Sequence, residues 1–371
     1  MRLRTLMLGS CALAACTAPE RETETAMGGE AGISVDPSLG GEDGESGLDD
    51  DGDDDGDDSE NLDVGVGTGT PVDCPEGQVC DECNLMEHVP CDESTTDITN
   101  AIGLNCAGES PVTGTVDGNP LAIGLRSGFG STMQWAPREG EKFAVLGSGY
   151  IGDLDMPTPG GDLDVQPTHC NDDLGDQFDP GQALPAPLQT NNVTGDCVMD
   201  PGLLGSGDCS NTINGQFTQG NAAYDYTEMR IVGMVPPNSN SIAYDFAFFS
   251  TEYPFYYEME FNDMYIGWLE SESWTGNISF DQQGNPISLN AGFLDFRDDG
   301  GGRPEFAGTC MARHAGTKWL STTAPVTPGE QITVVFAIFD LSDSILDSYV
   351  FIDNFSWGCE GTDHPSTTPV G

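Results

Sequence analysis

Between Phe248 and Leu269 the chain reads FFSTEYPFYYEMEFNDMYIGWL, which sets Glu252, Glu258, Glu260 and Asp263 among closely spaced aromatic rings. Paired carboxyl groups are the chemistry of glycoside hydrolysis. A retaining enzyme needs them ~5–5.5 Å apart and an inverting one ~6.5–9.5 Å. Trp268 and Trp274 would be available to stack a sugar ring. Acidic residues number 62 in 371, however, so neighbouring carboxylates are expected by chance. The four histidines, His88, His169, His314 and His364, stand in no nucleophile motif of the G-x-S-x-G kind. HExxH, the P-loop and a βαβ-type G-x-G-x-x-G are also missing from the sequence. These residues favour a non-catalytic protein, with a secreted carboxylate-dependent, glycosidase-like hydrolase as the alternative.

A second chemistry is better motivated. Glu252, Asn262, Asp263 and Asp353 are oxygen donors flanking otherwise apolar runs, and a structural Ca²⁺ takes such oxygens at ~2.3–2.6 Å. Asp353 interrupts an alternation of Tyr349, Phe351, Phe355 and Trp357. Burying it uncompensated is costly, so it must pair, cap or ligate. The plainer and preferred reading is that these side chains hydrogen-bond turn amides and fix the Glu-Tyr-Pro corner. A third chemistry lies in the rings. Tyr253, Phe255, Tyr256 and Tyr257 follow too closely to share one strand face, so some are expected to be exposed beside Pro254. With Trp274 they are the candidates to contact a carbohydrate or another surface protein.

The elements that position these residues read as strands. "KFAVLGSG" is a short buried run, and "IAYDFAFF" puts Ile242, Tyr244, Phe246 and Phe248 on one face. "DMYIGWL" does the same with Met264, Ile266 and Trp268. "QITVVFAIFD" and "YVFIDNFSW" are apolar on both faces, as central strands of a two-layer sandwich must be. With 49 glycines and 24 prolines punctuating short runs, the expectation is an all-β, jelly-roll-like β-sandwich over 109–360. Its interruption at about 153–219, rich in Gly, Pro, Asp and Asn, is expected to be a disulfide-rich insertion. Residues 361–371 are expected to form a disordered C-terminal tail.

The N-terminus sets the compartment. Arg2 and Arg4 precede a brief apolar run, Leu6 to Ala12, too short to span a bilayer. Leu13-Ala14-Ala15-Cys16 then resembles a bacterial lipobox, which implies a signal peptide at 1–15 and lipidation of Cys16. Thr17, in the place where aspartate favours the inner membrane, points to an outer-membrane lipoprotein facing periplasm or cell surface. Acyl chains would make the membrane a partner. Residues 16–71 hold 18 acidic residues against one arginine and read as a disordered acidic tether. The net charge of −51 excludes nucleic acid as a partner. A Cys-rich lead-in follows at 72–108. Ten cysteines, Cys74, Cys80, Cys83, Cys91, Cys106, Cys170, Cys197, Cys209, Cys310 and Cys359, read as disulfides in an exported chain.

The stretch "YDFAFFSTEYPFYYEMEFNDMYIGWL" resembles the signature of the choice-of-anchor L domain of bacterial surface proteins, in which a Ser/Thr-Glu-Tyr-Pro corner leads to Phe-Asn-Asp and another strand. "GTKWLSTTAPVTPGEQITVVFAIFDLSDSILDSYVFIDNFSW" resembles its second half. The resemblance covers Tyr224 to Cys359 and extends loosely to Arg138–Gly149. It departs at Phe255, where the family pattern has glutamate. It implies a surface module with no established reaction, serving adhesion or ligand binding. A purely structural envelope component is a further alternative.

Overall fold

A computed structural model describes residues 85–155, 179–217, 222–259 and 262–370. The signal segment, Cys16, the acidic tether, Cys74, Cys80, Cys83, Cys170 and Glu260 lie outside the described residues. The strands are β1 (Val112–Asp117), β2 (Ile123–Arg126), β3 (Phe143–Gly147), β4 (Ala223–Met234), β5 (Ser241–Ser250), β6 (Met264–Glu270) and β7 (Thr275–Asn277). They continue with β8 (Ile287–Ser288), β9 (Phe296–Arg297), β10 (Ala315–Gly316), β11 (Leu320–Pro325), β12 (Gln331–Leu341), β13 (Ser348–Gly358) and β14 (Ser366–Pro369). Two antiparallel sheets result. The first runs β1-β4-β12-β6-β7 with β8 beside β6; the second runs β14-β11-β5-β13-β3-β2 with β9 and β10 alongside. From β4 to β6, and again from β11 to β13, successive strands alternate between the sheets, as in a jelly roll. Among the described residues no helix is long and apolar enough to cross a membrane.

Alternation along the strands explains the layers. Met229, Ile231, Tyr265, Leu269, Val334, Phe336 and Ile338 of the first sheet face Ile242, Tyr244, Phe246, Phe248, Val350 and Ile352 of the second. The opposite parity is buried as well. Ala247, Phe249, Tyr349 and Phe351 on the outside of the second sheet lie under Phe129, Trp135, Phe306 and Met311. Trp135 stacks on Phe306 at 4.9 Å between centroids. On the outside of the first sheet, Ile266, Trp268, Val335, Ala337 and Phe339 lie under Leu188, Ile213 and Phe217. Central strands are thus dry on both sides, which is why their sequences show no polar face.

The expected insertion at 153–219 therefore does more than decorate an edge: its described part, 179–217, is the cover of the first sheet. Cys197 pairs with Cys209 within it, and Cys91 pairs with Cys106 in the lead-in. Cys310 and Cys359 are also disulfide-bonded. The expectation of a disordered tail at 361–371 needs correction. Residues Ser366–Pro369 form β14, paired with Thr323–Leu320 of β11. Buried Thr367 exchanges a hydroxyl hydrogen bond with Thr322 at 2.8 Å. Flanking prolines mask the strand in sequence, yet proline is tolerated on a sheet edge.

Candidate functional site

At one end of the sandwich, strand termini from both sheets bring acids together. Glu252 follows β5, Asp263 precedes β6, Asp347 precedes β13, Asp225 opens β4 and Asp340 lies near the end of β12. All five are buried, Glu252 and Asp263 at 1% exposure and Asp340 at 0%. Asp263 accepts the Ser348 hydroxyl at 2.9 Å and the Leu341 amide at 3.3 Å, while its own N–H donates to Glu252 Oε2 at 3.4 Å. Asp340 follows Val334, Phe336 and Ile338 on the inward row of β12, beside a β-bulge against β4. Neither of its oxygens accepts a hydrogen bond. The nearby Ser148 hydroxyl is turned to the Ser348 carbonyl at 3.4 Å. No Lys, Arg or His pairs with Glu252, Asp263 or Asp340 among the described residues.

The electrostatics follow from that burial. Desolvation pushes the Glu252 carboxyl up to about 8, opposed by the Asp263 amide and reinforced by the charge of Asp343. Asp263 is driven well above the ordinary carboxylate range by burial first, then by Asp340 and Glu252. Asp340 moves the same way, by burial and then by the charge of Asp347. Gly149 makes room here. A Cβ on it would stand 1.9 Å from Asp347 Oδ2, so the carboxylate presses directly on the backbone after β3.

Of the four expected oxygen donors, two converge and two do not. Asn262 ties loops instead, donating to Gln216 at 3.3 Å and accepting the Asn290 amide at 3.2 Å. Asp353 sits five residues into β13 from Ser348, roughly 16 Å along the strand. Its oxygens accept the amides of Arg138 at 2.6 Å, Glu139 at 3.4 Å and Asn354 at 2.7 Å. Burial nonetheless pushes it up to about 8. Asp353 thus serves backbone amides away from the Glu-Tyr-Pro corner, while Asn262 accepts one amide, that of Asn290. Asp340 and Asp347 take their places at the cluster. Their signal was available for Asp340, which falls on the same inward parity as Phe336 and Ile338.

The ring candidates also divide. Phe255 stands out at 72% exposure. Tyr253, Tyr256 and Tyr257 are half-buried against Leu289, Leu294 and Ala315. Arg297 donates to the Tyr257 hydroxyl at 2.8 Å. Trp274 corrects the expectation of a ligand contact: it is 2% exposed, inside the core, its N–H aimed at the Asn277 carbonyl at 3.4 Å.

A recess that the sequence does not announce lies at the other side of the lead-in. It encloses about 370 Å³ between Leu85, Met86, His88, Glu109, Phe355 and Trp357. Phe355 and Trp357 meet edge to face at 5.5 Å, and the Trp357 indole N–H has no acceptor. His88 bridges Glu109 and Glu139, the latter at 2.7 Å. Burial lowers its pKa, but the hydrogen bonds and charges of Glu139 and Glu109 together raise it. Donor atoms of His88, Cys106 and Glu109 lie within 4.8 Å of one another. Cys106 is locked to Cys91, so it offers no thiolate to a metal.

The fold is thus that of a two-sheet antiparallel sandwich with both outer faces covered. The model of the choice-of-anchor L domain family matches residues 207–358, a span that takes in β4 to β13. The match takes in the Ser/Thr-Glu-Tyr-Pro corner and begins inside the loop closed by Cys197 and Cys209. It marks a module of bacterial surface proteins. No curated protein and no solved structure matches the chain.

Proposed function

We propose that the protein is a lipid-anchored bacterial surface module that binds a carbohydrate without transforming it. The observation that carries the reading is the recess beside His88. Ligand pockets are concave, mostly apolar and furnished with few polar groups, at ~300–1,000 Å³. Here the aromatic pair Phe355 and Trp357 and the carboxylate of Glu109 line about 370 Å³. Ring faces with nearby acceptors suit the apolar faces and hydroxyls of a sugar. Against hydrolysis stands the burial of Glu252 and Asp263, which lie beneath the corner and out of reach of a glycan. Anchoring rests on Cys16 in its Leu-Ala-Ala-Cys context.

The test is a glycan panel applied to the full chain, with Trp357→Ala as the control. Retention of specific glycans, lost in the variant and without release of product, supports the reading. Product formation, or binding indifferent to Trp357, refutes it. Cys16→Ser should move the protein from the membrane fraction to the soluble one.

A further inference from the structure

Among the described residues, most buried aspartates accept backbone amides, and Asp245 accepts the Arg138 and Asn354 side chains instead. Asp92 accepts the amides of Glu141 and Lys142, and Asp208 those of Ser210, Thr212 and Asn277. Asp281 accepts Gln283, Asn285 and Gly292; Asp298 accepts Gly300 and Gly302. Asp340 is fully buried and accepts nothing. It is also the one placed where other buried carboxyls crowd it, with Asp263, Glu252, Asp347 and Asp225 all within electrostatic reach. Such a charge requires a proton or a cation.

We propose that Asp340 and Asp263 are the core ligands of a calcium site at this end of the sandwich, with Glu252 and Asp347 completing it from the corner and from the β12–β13 connection. The donors are oxygens throughout: carboxylates and the hydroxyls of Ser148 and Ser348, with no thiolate or imidazole among them. That set selects a hard divalent cation, and Ca²⁺ accepts six to eight oxygens in flexible geometry. No trio of these carboxyl oxygens lies within 4.8 Å of one another, so a bound ion would have to draw them inward. The rival occupant of the gap is a proton shared between Asp263 and Asp340, which needs no metal.

The experiment uses the full chain dialysed against EDTA. Calcium should bind in calorimetry and raise the melting temperature by ~5 °C at 100-fold excess over the dissociation constant. Terbium, a calcium stand-in, should emit when tyrosine is excited, because the Tyr349 hydroxyl lies 3.3 Å from Asp347. The acidic run at 16–71 contains no aromatic residue to sensitise such emission. Calcium should quench it by competition. Asp340→Asn should abolish the emission and the calcium-dependent shift, yet melt higher than the parent in EDTA. If that variant fails to fold, Asp347→Asn must weaken emission at least tenfold. The proposal is overturned if the parent shows neither emission nor calcium shift, which assigns the gap to a shared proton. A full response retained in Asp340→Asn overturns it equally, by placing the ion elsewhere.

Discussion

Gly267→Ala is the most demanding single-methyl test of the interior. Gly267 lies on the inward parity of β6 between Tyr265 and Leu269, and a Cβ there would fall 2.1 Å from the Tyr244 hydroxyl and 2.9 Å from Ser279 Oγ. That hydroxyl belongs to a buried chain. Tyr265 donates to Tyr244 at 3.4 Å, Tyr244 bonds Ser279, Ser279 meets Thr322 at 3.0 Å and Thr322 meets Thr367 at 2.8 Å. Burial pushes the Tyr244 phenol up to about 12, so it is protonated at neutral pH. Displacing it by an ångström breaks the Ser279 link. One stranded hydroxyl costs ~1–3 kcal/mol, and the overpacked methyl adds ~1–3 kcal/mol. Loss of glycine's unfolded-state entropy returns ~0.4–1 kcal/mol. The net expectation is ~1–6 kcal/mol, read as a fall in the urea midpoint at constant slope with disulfides intact. Tyr244→Phe removes the atom that the methyl strikes. In that background Gly267→Ala should cost at least ~1 kcal/mol less, within the range for directly touching residues. Strict additivity of the two substitutions would refute the contact, and with it the hydroxyl chain as a unit.

Two further outcomes follow from features already described. His88 has its pKa raised by Glu139 and Glu109, so its contribution to stability is fully present below its ordinary value of 6.5 and is lost as pH rises through the folded value. His88→Gln should therefore destabilise at pH 6 by ~0.2–1 kcal/mol, discounted for exposure, and by nothing measurable at pH 9; an effect equal at both would assign the role to packing. Opening the Cys91–Cys106 bridge, which spans 15 residues, by paired serine substitution should lower stability by ~3 kcal/mol, checked by denaturation under oxidising conditions.

The architecture was legible because alternation is a local property. Ile242, Tyr244, Phe246 and Phe248 were readable as one face, and they line the interior. Met264, Ile266 and Trp268 were readable as one face too, but nothing local says that it faces outward, under Leu188, Ile213 and Phe217. That cover arrives from residues 47 or more positions away. The acid cluster shows the same limit. Glu252 and Asp263 stand eleven residues apart and invite pairing, whereas Asp340 and Asp347 join them only through the register of β12 against β4 and β6. Asp353 carried the same cue as Asp340, an acid in an apolar strand. Only the fold distinguishes the one met by backbone amides from the one left bare. Trp274 resembled a platform because a tryptophan in a Ser-rich loop gives no sign of the core beneath it.

β14 has a consequence for life in a crowd. An open strand edge is an invitation to add another chain. Without residues 366–369, the Leu320–Thr323 edge of β11 would present its unpaired amides and carbonyls outward. With them, the sheet ends in Ser366, Thr367, Thr368 and Pro369, the last with no amide hydrogen to offer. The short terminal strand thus keeps the amides and carbonyls of β11 paired.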